Sequence, residues 1–367
     1  MKGKTVLLLP VVALMLVAGN ASLYASSWSI SASSLEGINQ NIIGVAVTQS
    51  GTVGILFGPI MSGGDETYDE LRLLVISTED GEVLHNEVIE TDCADELNIW
   101  YGYYSHNPLT PSLHGGFLYY LYRDRSIKEL NADLELVQET RCLTNCPNRL
   151  LTSINAGGYV VPSFNQIIIL NDNLGIRSVI EDSDNGYTIE LNGNLIICGG
   201  GYLAERIDLS CIDISSGNVT WTQRIPVPSP YNEQVISFAA MRDGIQLIST
   251  RGVPVEPYRD RVSADSTILR IIDPETGQFQ QESYQFIGNN YIAVSAFDKE
   301  LMYNTFMEHI ELVTYNGNFQ ITLPDSDQYD IPTWIFLCLT EDGVLLFDYS
   351  ENVFVHLNNT LELPSDL

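Results

Sequence analysis

Cations are scarce in this chain. Seventeen lysines and arginines stand against 47 aspartates and glutamates in 367 residues, a formal charge of −30 at pH 7. A surface of that sign repels nucleic-acid phosphates and anionic lipid, which excludes nucleic-acid binding as a main function. Histidine is scarcer still. The five, His85, His106, His114, His309 and His356, are scattered, and only His106 and His114 lie close together. There is no Cys-x-x-Cys pair, no nucleophile elbow, no metalloprotease helix and no phosphate loop, because Gly199-Gly200-Gly201 is followed by no helical pattern. Beyond residue 18 no apolar run is long enough to span a bilayer, and no amphipathic helix is visible. These absences imply no metal and no cofactor.

What is present begins at the N-terminus. Met1-Lys2-Gly3-Lys4 is a positive leader, Val6–Ala18 an apolar stretch, and Gly19, Ala21 and Ala25 are small residues suited to cleavage. Residues 1–25 are expected to be a secretory signal peptide, with an uncleaved anchor as the alternative. No cysteine sits near the cleavage site, so a lipoprotein box is lacking. Loss of Lys2 and Lys4 leaves 15 cations against 47 acids, a charge of −32. The mature chain, 26–367, is expected to be exported, to a periplasm or outside the cell, as a single-domain monomer. All six cysteines lie in it, which permits disulfides in an oxidising compartment. Cys142 and Cys146 are close enough in one loop to pair. Cys198 and Cys211, on consecutive strands, are candidates for a cross-strand bridge, while Cys93 and Cys338 are left over. A zinc site is the weaker alternative.

The chain from Asn194 to Pro228 carries the clearest pattern. Leu195–Cys198, Ile207–Ile214 and Val219–Ile225 are apolar and β-branched runs separated by Gly199-Gly200-Gly201 and Ser216-Gly217. The same strand–turn–strand unit recurs. The last residue before the turn is Ile76, Leu130, Leu170, Ile212, Ile272, Tyr315 or Leu357, and Asn, Asp or Gly follows within a few residues. These residues tolerate the backbone of tight hairpins. The spacing centres near the ~40–50 residues of a four-stranded propeller blade. A β-sandwich would explain the strands but not this period.

The 194–228 unit resembles a kelch-type repeat, an apolar strand ending in Gly-Gly, then an Asp before a Gly turn, then Trp221. Asp213, Ser216-Gly217, Val219 and Trp221 are also similar to a quinoprotein-type repeat, with an echo at Asp273–Phe279. Both resemblances imply a β-propeller. The redox quinoproteins have eight blades and adjacent cysteines at the cofactor; neither is found here, so no cofactor is carried over. The expected fold is all-β, a seven-bladed β-propeller of four-stranded antiparallel blades. Trp28–Ser34 is expected to add an edge strand to the last blade, Ile99–Tyr104 to open the second, and Leu361–Leu363 to end the seventh. The aromatic residues around Trp100, Tyr119 and Tyr120 are expected to pack between blades.

In such a ring the second-to-third-strand loops and the blade-to-blade loops share one face. The long ones are Gly58–Asp69, Gly200–Arg206, Ile225–Glu233, Arg251–Ser266 and Pro324–Ile331. Long loops are where binding concentrates. Arg251–Ser266 brings Arg251, Tyr258, Arg259 and Arg261 into one connection of a cation-poor chain. These four, with Tyr202 and Arg206 of a second loop, are the candidate ligand-binding residues. Asp182–Gly186 resembles the start of a calcium loop, but its glycine comes one residue early and the closing Glu is missing. Asp65, Glu66 and Asp69 make an acidic loop. The expected function is non-catalytic binding of a protein or glycan on the loop-rich face; the alternative is a secreted hydrolase or lyase acting on a glycan with carboxylates near the central channel.

Overall fold

Strands dominate wherever β-branched and aromatic residues run between Gly, Asn and Asp turns. The computed structural model describes residues 27–38, 41–58, 70–93, 107–121, 124–141, 151–153, 156–163, 166–181, 187–199, 206–229, 231–241, 244–254, 262–285, 291–296, 299–304, 309–314, 317–323 and 334–364. They form four-stranded antiparallel sheets, each a blade. The first blade is Ile42–Val47, Thr52–Phe57, Glu70–Ser77 and Val83–Thr91; the second is Leu109–Pro111, Phe117–Leu121, Ser126–Leu130 and Leu136–Arg141. The third is Leu151–Ser153, Gly158–Ser163, Gln166–Asn171 and Ile176–Glu181; the fourth is Tyr187–Leu191, Asn194–Gly199, Arg206–Asp213 and Val219–Pro226. The fifth is Asn232–Met241, Gly244–Pro254, Val262–Ile272 and Phe279–Gln285; the sixth is Tyr291–Ala296, Lys299–Asn304, His309–Thr314 and Gly317–Thr322. The last blade is Trp334–Leu339, Gly343–Asp348 and Val353–Asn358, completed by Trp28–Ser31 from the other end of the chain.

The first strands of successive blades lie side by side in chain order, and Trp334–Leu339 of the last returns to Ile42–Val47 of the first. The result is an all-β propeller. The sequence predicts the edge strand at Trp28 correctly. It errs at Leu361–Leu363, which forms no strand: Trp28–Ser31 pairs with Val353–Asn358, Trp28 opposite His356, and takes the outer place. The second blade also differs. Its inner strand is Leu109–Pro111, whose Leu109 pairs with Tyr119 and is buried; Ile99–Tyr104 lies outside the described residues. The Tyr-rich run outweighs a short strand between two prolines as a strand signal, yet Leu109 is the residue the core accepts.

Burial follows position in the blade. Phe117–Leu121 and Gly343–Asp348 are buried at every residue, because both faces of a middle strand meet neighbouring blades. Outer strands such as Leu136–Arg141 alternate between partly buried and exposed. One cluster joins Leu56 and Leu73 of blade one to Tyr119 and Leu130 of blade two; another joins Phe57 of blade one to Phe347 and Phe354 of the last. Tyr120 packs the other way, with Tyr159 of blade three. Each fully buried side chain of this size contributes about 1.5–3 kcal/mol, so a blade lacking its neighbour would lose most of its core.

A second device ties outer strands to the next blade. The indole Nε1 of Trp221 donates to the carbonyl of Pro274 at 2.9 Å, and the ring lies so close to Gly277 that a Cβ there would stand 2.5 Å from it. Trp28 repeats this on blade one, donating to Thr78 O at 3.0 Å and covering Gly81. Gln138 reaches from blade two to Asp172 O of blade three at 3.0 Å.

Candidate functional site

The connections leave the two rims unequally. Among the described residues, turns that join first to second and third to fourth strands are closed by local hydrogen bonds. Gly217 N donates to Asp213 O at 2.8 Å, Gly277 N to Asp273 O at 2.8 Å and Leu134 N to Asn131 O at 3.1 Å. Asp213 adds side-chain bonds to Ser215 and to Ser216 N, which pull its carboxyl down to about 2. On the opposite rim strands end at Phe57, Thr91, Gly199, Pro254 and Thr322, and the next begin at Glu70, Leu109, Arg206, Val262 and Trp334.

Blade five places the densest charge near that second rim. The stretch Arg251–Ser266, predicted as a loop, is mostly a hairpin: Gly244–Pro254 pairs with Val262–Ile272 up to Pro254 opposite Val262. Arg251 therefore stands in a strand, opposite Glu233 of the inner strand. Glu233 is fully buried. Arg270 grips it with both terminal nitrogens, at 2.8 and 3.0 Å; Arg251 Nε donates at 2.8 Å and Ser249 Oγ at 2.9 Å. Burial alone would raise the Glu233 carboxyl, but hydrogen bonds and charge from Arg270 and then Arg251 hold it below its usual range. Glu282 of the outer strand lies 3.8 Å from Arg270, so a charged row crosses the blade.

Blade four carries a second group on the same rim. Asp208 receives Arg206 Nε at 2.8 Å and Arg224 Nε at 2.9 Å. The two arginines are 54% and 66% exposed, against 32% for the aspartate.

A third group sits at the opposite rim, in blade two. Glu129 is fully buried and accepts from Ser112, from His114 Nδ1 at 2.8 Å, from Gln138 and from Tyr159 of blade three at 3.2 Å. Serine, histidine and glutamate meet here, but the serine and the histidine both bond to the glutamate. No Ser-to-His proton path results, and the cluster works as a clip between blades two and three.

Of the candidate residues, Arg251 and Arg206 are described; Tyr202, Tyr258, Arg259 and Arg261 lie outside the described residues, as do Cys142, Cys146, Asp65, Asp69, His106 and Asp182–Gly186. Arg251 and Arg206 belong to adjacent blades, each bonded to its own carboxylate. The Cys198–Cys211 bridge is not formed. Register sets Cys198 opposite Leu209 and Cys211 opposite Ile196, so the sulfurs are diagonal, and both are free buried thiols. Sequence reasoning passed over Glu233, Arg270 and Glu129. For Arg270 the available signal was a lone charge inside the apolar run Ile268–Ile272; Glu233, between Asn232 and Gln234, and Glu129, beside Lys128, offered none.

No family model matches the chain, and no curated protein matches it in sequence. Solved structures match its fold. The WD40 domain of Neurospora crassa Pan2 is 9% identical over 90% of this chain and 95% of its own, with a TM-score of 0.57. Virginiamycin B lyase from Staphylococcus aureus is 13% identical over 90% and 98%, with a TM-score of 0.56. Kluyveromyces lactis Hsv2 is 9% identical over 84% and 90%, with a TM-score of 0.51. Identities this low establish the β-propeller fold and nothing about ligand or activity.

Proposed function

We propose that this β-propeller is an exported, non-catalytic binding protein that holds a protein or glycan on its loop-rich rim. The observation that carries the reading is the inequality of the rims: one is closed by hydrogen-bonded turns, while the long connections all leave from the other. Loops on a rigid scaffold are where recognition concentrates. In this reading the ring has seven blades, supported by the order in which the inner strands neighbour one another, and the chain acts as a monomer. Export follows from the leader at residues 1–25.

In this reading Arg251, Tyr258, Arg259 and Arg261 of the blade-five connection make the main contact, and Tyr202 and Arg206 of the blade-four connection contribute to it. Arg251 supplies the base of the hairpin through Glu233. Tyr258 adds an aromatic face with a polar tip, a common interface anchor. The test is a screen of the mature protein against glycans and secreted proteins, wild type beside Arg259→Ala/Arg261→Ala. Binding lost in the variant with folding intact supports the hairpin as the site. Unchanged binding of every ligand detected rules it out.

A further inference from the structure

The seven arginines between residues 206 and 270 (Arg206, Arg224, Arg242, Arg251, Arg259, Arg261 and Arg270) meet seven acids there, whereas the rest of the chain has 10 cations against 40 acids. Blades four and five as a whole, 187–285, carry these seven arginines and no lysine against 12 acids, a less acidic, arginine-only sector of the ring. Within it, Arg206 and Arg224 stand apart from Arg270, whose fork is spent on Glu233. Each uses its Nε on one oxygen of Asp208, Arg206 on Oδ2 and Arg224 on Oδ1. Both side chains are more than half exposed. Burial alone would raise the Asp208 carboxyl, but the hydrogen bonds from Arg224 and Arg206 keep it low, so the anchor stays ionised. As stabilising ion pairs two such exposed contacts contribute little, about 0–1 kcal/mol each.

The surroundings are polar. Strand alternation sets Arg206, Asp208 and Ser210 on the face that also carries Thr222 and Arg224, through the registered pairs Asp208–Arg224 and Ser210–Thr222. The other face, with Ile207, Leu209 and Ile225, is buried against blade five. Below the two guanidinium groups that face carries Ser210 and Thr222, beside Ile197, which is buried against blade three.

We infer that Arg206 and Arg224, held by Asp208, form a subsite for the carboxylate of an acidic polysaccharide. Two guanidinium groups fixed by a common anchor present paired N–H donors to a planar carboxylate, the geometry in which arginine surpasses lysine. Ser210 and Thr222 are placed for sugar hydroxyls. The hydroxyls of Ser210 and Thr222, registered beside Asp208 and Arg224, favour a hydroxyl-bearing uronate over an acidic peptide. This inference rests on the loop-rich rim being the binding face.

The test is isothermal titration of the full mature chain with an oligogalacturonate, the neutral oligogalactose of equal length, and poly-glutamate. Wild type is compared with Arg206→Gln/Arg224→Gln and with Arg259→Ala/Arg261→Ala. The exposure of Arg206 and Arg224 leaves folding intact in the first variant, checked by circular dichroism. Expected are binding of the oligogalacturonate alone and its weakening by about tenfold or more in the Arg206/Arg224 variant. Equal binding of the neutral sugar, binding unchanged in that variant, preference for poly-glutamate, or no binding at all overturns the subsite. If uronate binding is instead lost only in the Arg259/Arg261 variant, the subsite falls while the loop-rich rim stands as the binding face.

Discussion

Trp221 of the fourth blade covers Gly277 of the fifth and donates its indole N–H to the carbonyl of Pro274 at 2.9 Å. The contact spans 56 residues of sequence between Trp221 and Gly277 and fixes one outer strand to the next blade's turn. Trp28 does the same for the blade that closes the ring, with a further stack on His356 at 5.1 Å between ring centroids. Blade-to-blade packing in this protein is thus reinforced at the perimeter, away from the apolar core.

Gly277 is expected to be the sensitive half of that pair. Its φ of +71° disfavours any side chain, and a Cβ would stand 2.5 Å from the Trp221 ring. Gly217 has a similar φ of +72°, yet its nearest neighbour would be Ser178 Oγ at 3.5 Å. Gly217→Ala is expected to cost about 1 kcal/mol for backbone strain alone. Gly277→Ala is expected to cost that plus about 1–3 kcal/mol of overpacking. Urea denaturation followed by tryptophan fluorescence measures both. Equal costs would show that the indole does not depend on the glycine.

The buried pair Glu233–Arg270 is expected to behave as a unit. Arg270→Met leaves a fully buried carboxylate with Arg251 and Ser249 only, and should cost about 3–5 kcal/mol. Adding Glu233→Gln should restore part of that loss, giving a strongly non-additive double-mutant cycle. The pH sign follows from the lowered folded-state value. Above the ordinary 4.5 the Glu233 contribution to stability is complete, and it is lost as pH falls through the lower value in the folded protein. Stability curves at pH 7 and pH 3 for wild type and the double variant test this; the double variant should be the less acid-sensitive.

His356 is expected to add a separate acid sensitivity. It is fully buried, bonds Thr340 Oγ1 at 3.0 Å and stacks on Trp28. Burial, then the nearby charge of Lys299, draws it from 6.5 down to about 3. The unfolded chain therefore takes up a proton below 6.5 that the folded chain refuses until about 3, so stability declines across that window as pH drops. His356→Phe keeps a ring against Trp28 and removes the titration. Its unfolding free energy should vary less between pH 6.5 and pH 4 than that of wild type. An unaltered slope would place the acid sensitivity elsewhere.

Cys198 and Cys211 are expected to resist alkylation in the native protein and to react as two free thiols after unfolding. Burial raises both thiols above their ordinary range, and their register is diagonal. Non-reducing peptide mapping is the measurement. A linked Cys198–Cys211 peptide would contradict the register, while Cys142 and Cys146 are expected to be found linked to each other.

Much of the fold was written in local sequence. Turn residues such as Asp213, Ser216-Gly217 and Asp273 fix where hairpins reverse. Apolar runs between them fix middle strands, and Trp28 ahead of the first blade fixes the closing strand. These are short-range signals, readable because strand and turn depend on a few neighbouring residues. Pairings between distant strands were decided only by the assembled ring. Leu109 lines the second blade opposite Tyr119, Cys198 and Cys211 stand two register pairs apart, and Arg251 meets Glu233 of the inner strand. Side chains alternate faces with every residue, so a shift of one position exchanges core for surface. Glu233, Arg270 and Glu129 show the same limit. Arg270 looks like an isolated charge in an apolar strand, while Glu233 between Asn232 and Gln234 and Glu129 beside Lys128 look like ordinary polar positions; only packing across strands and blades supplies the partners that let each be buried.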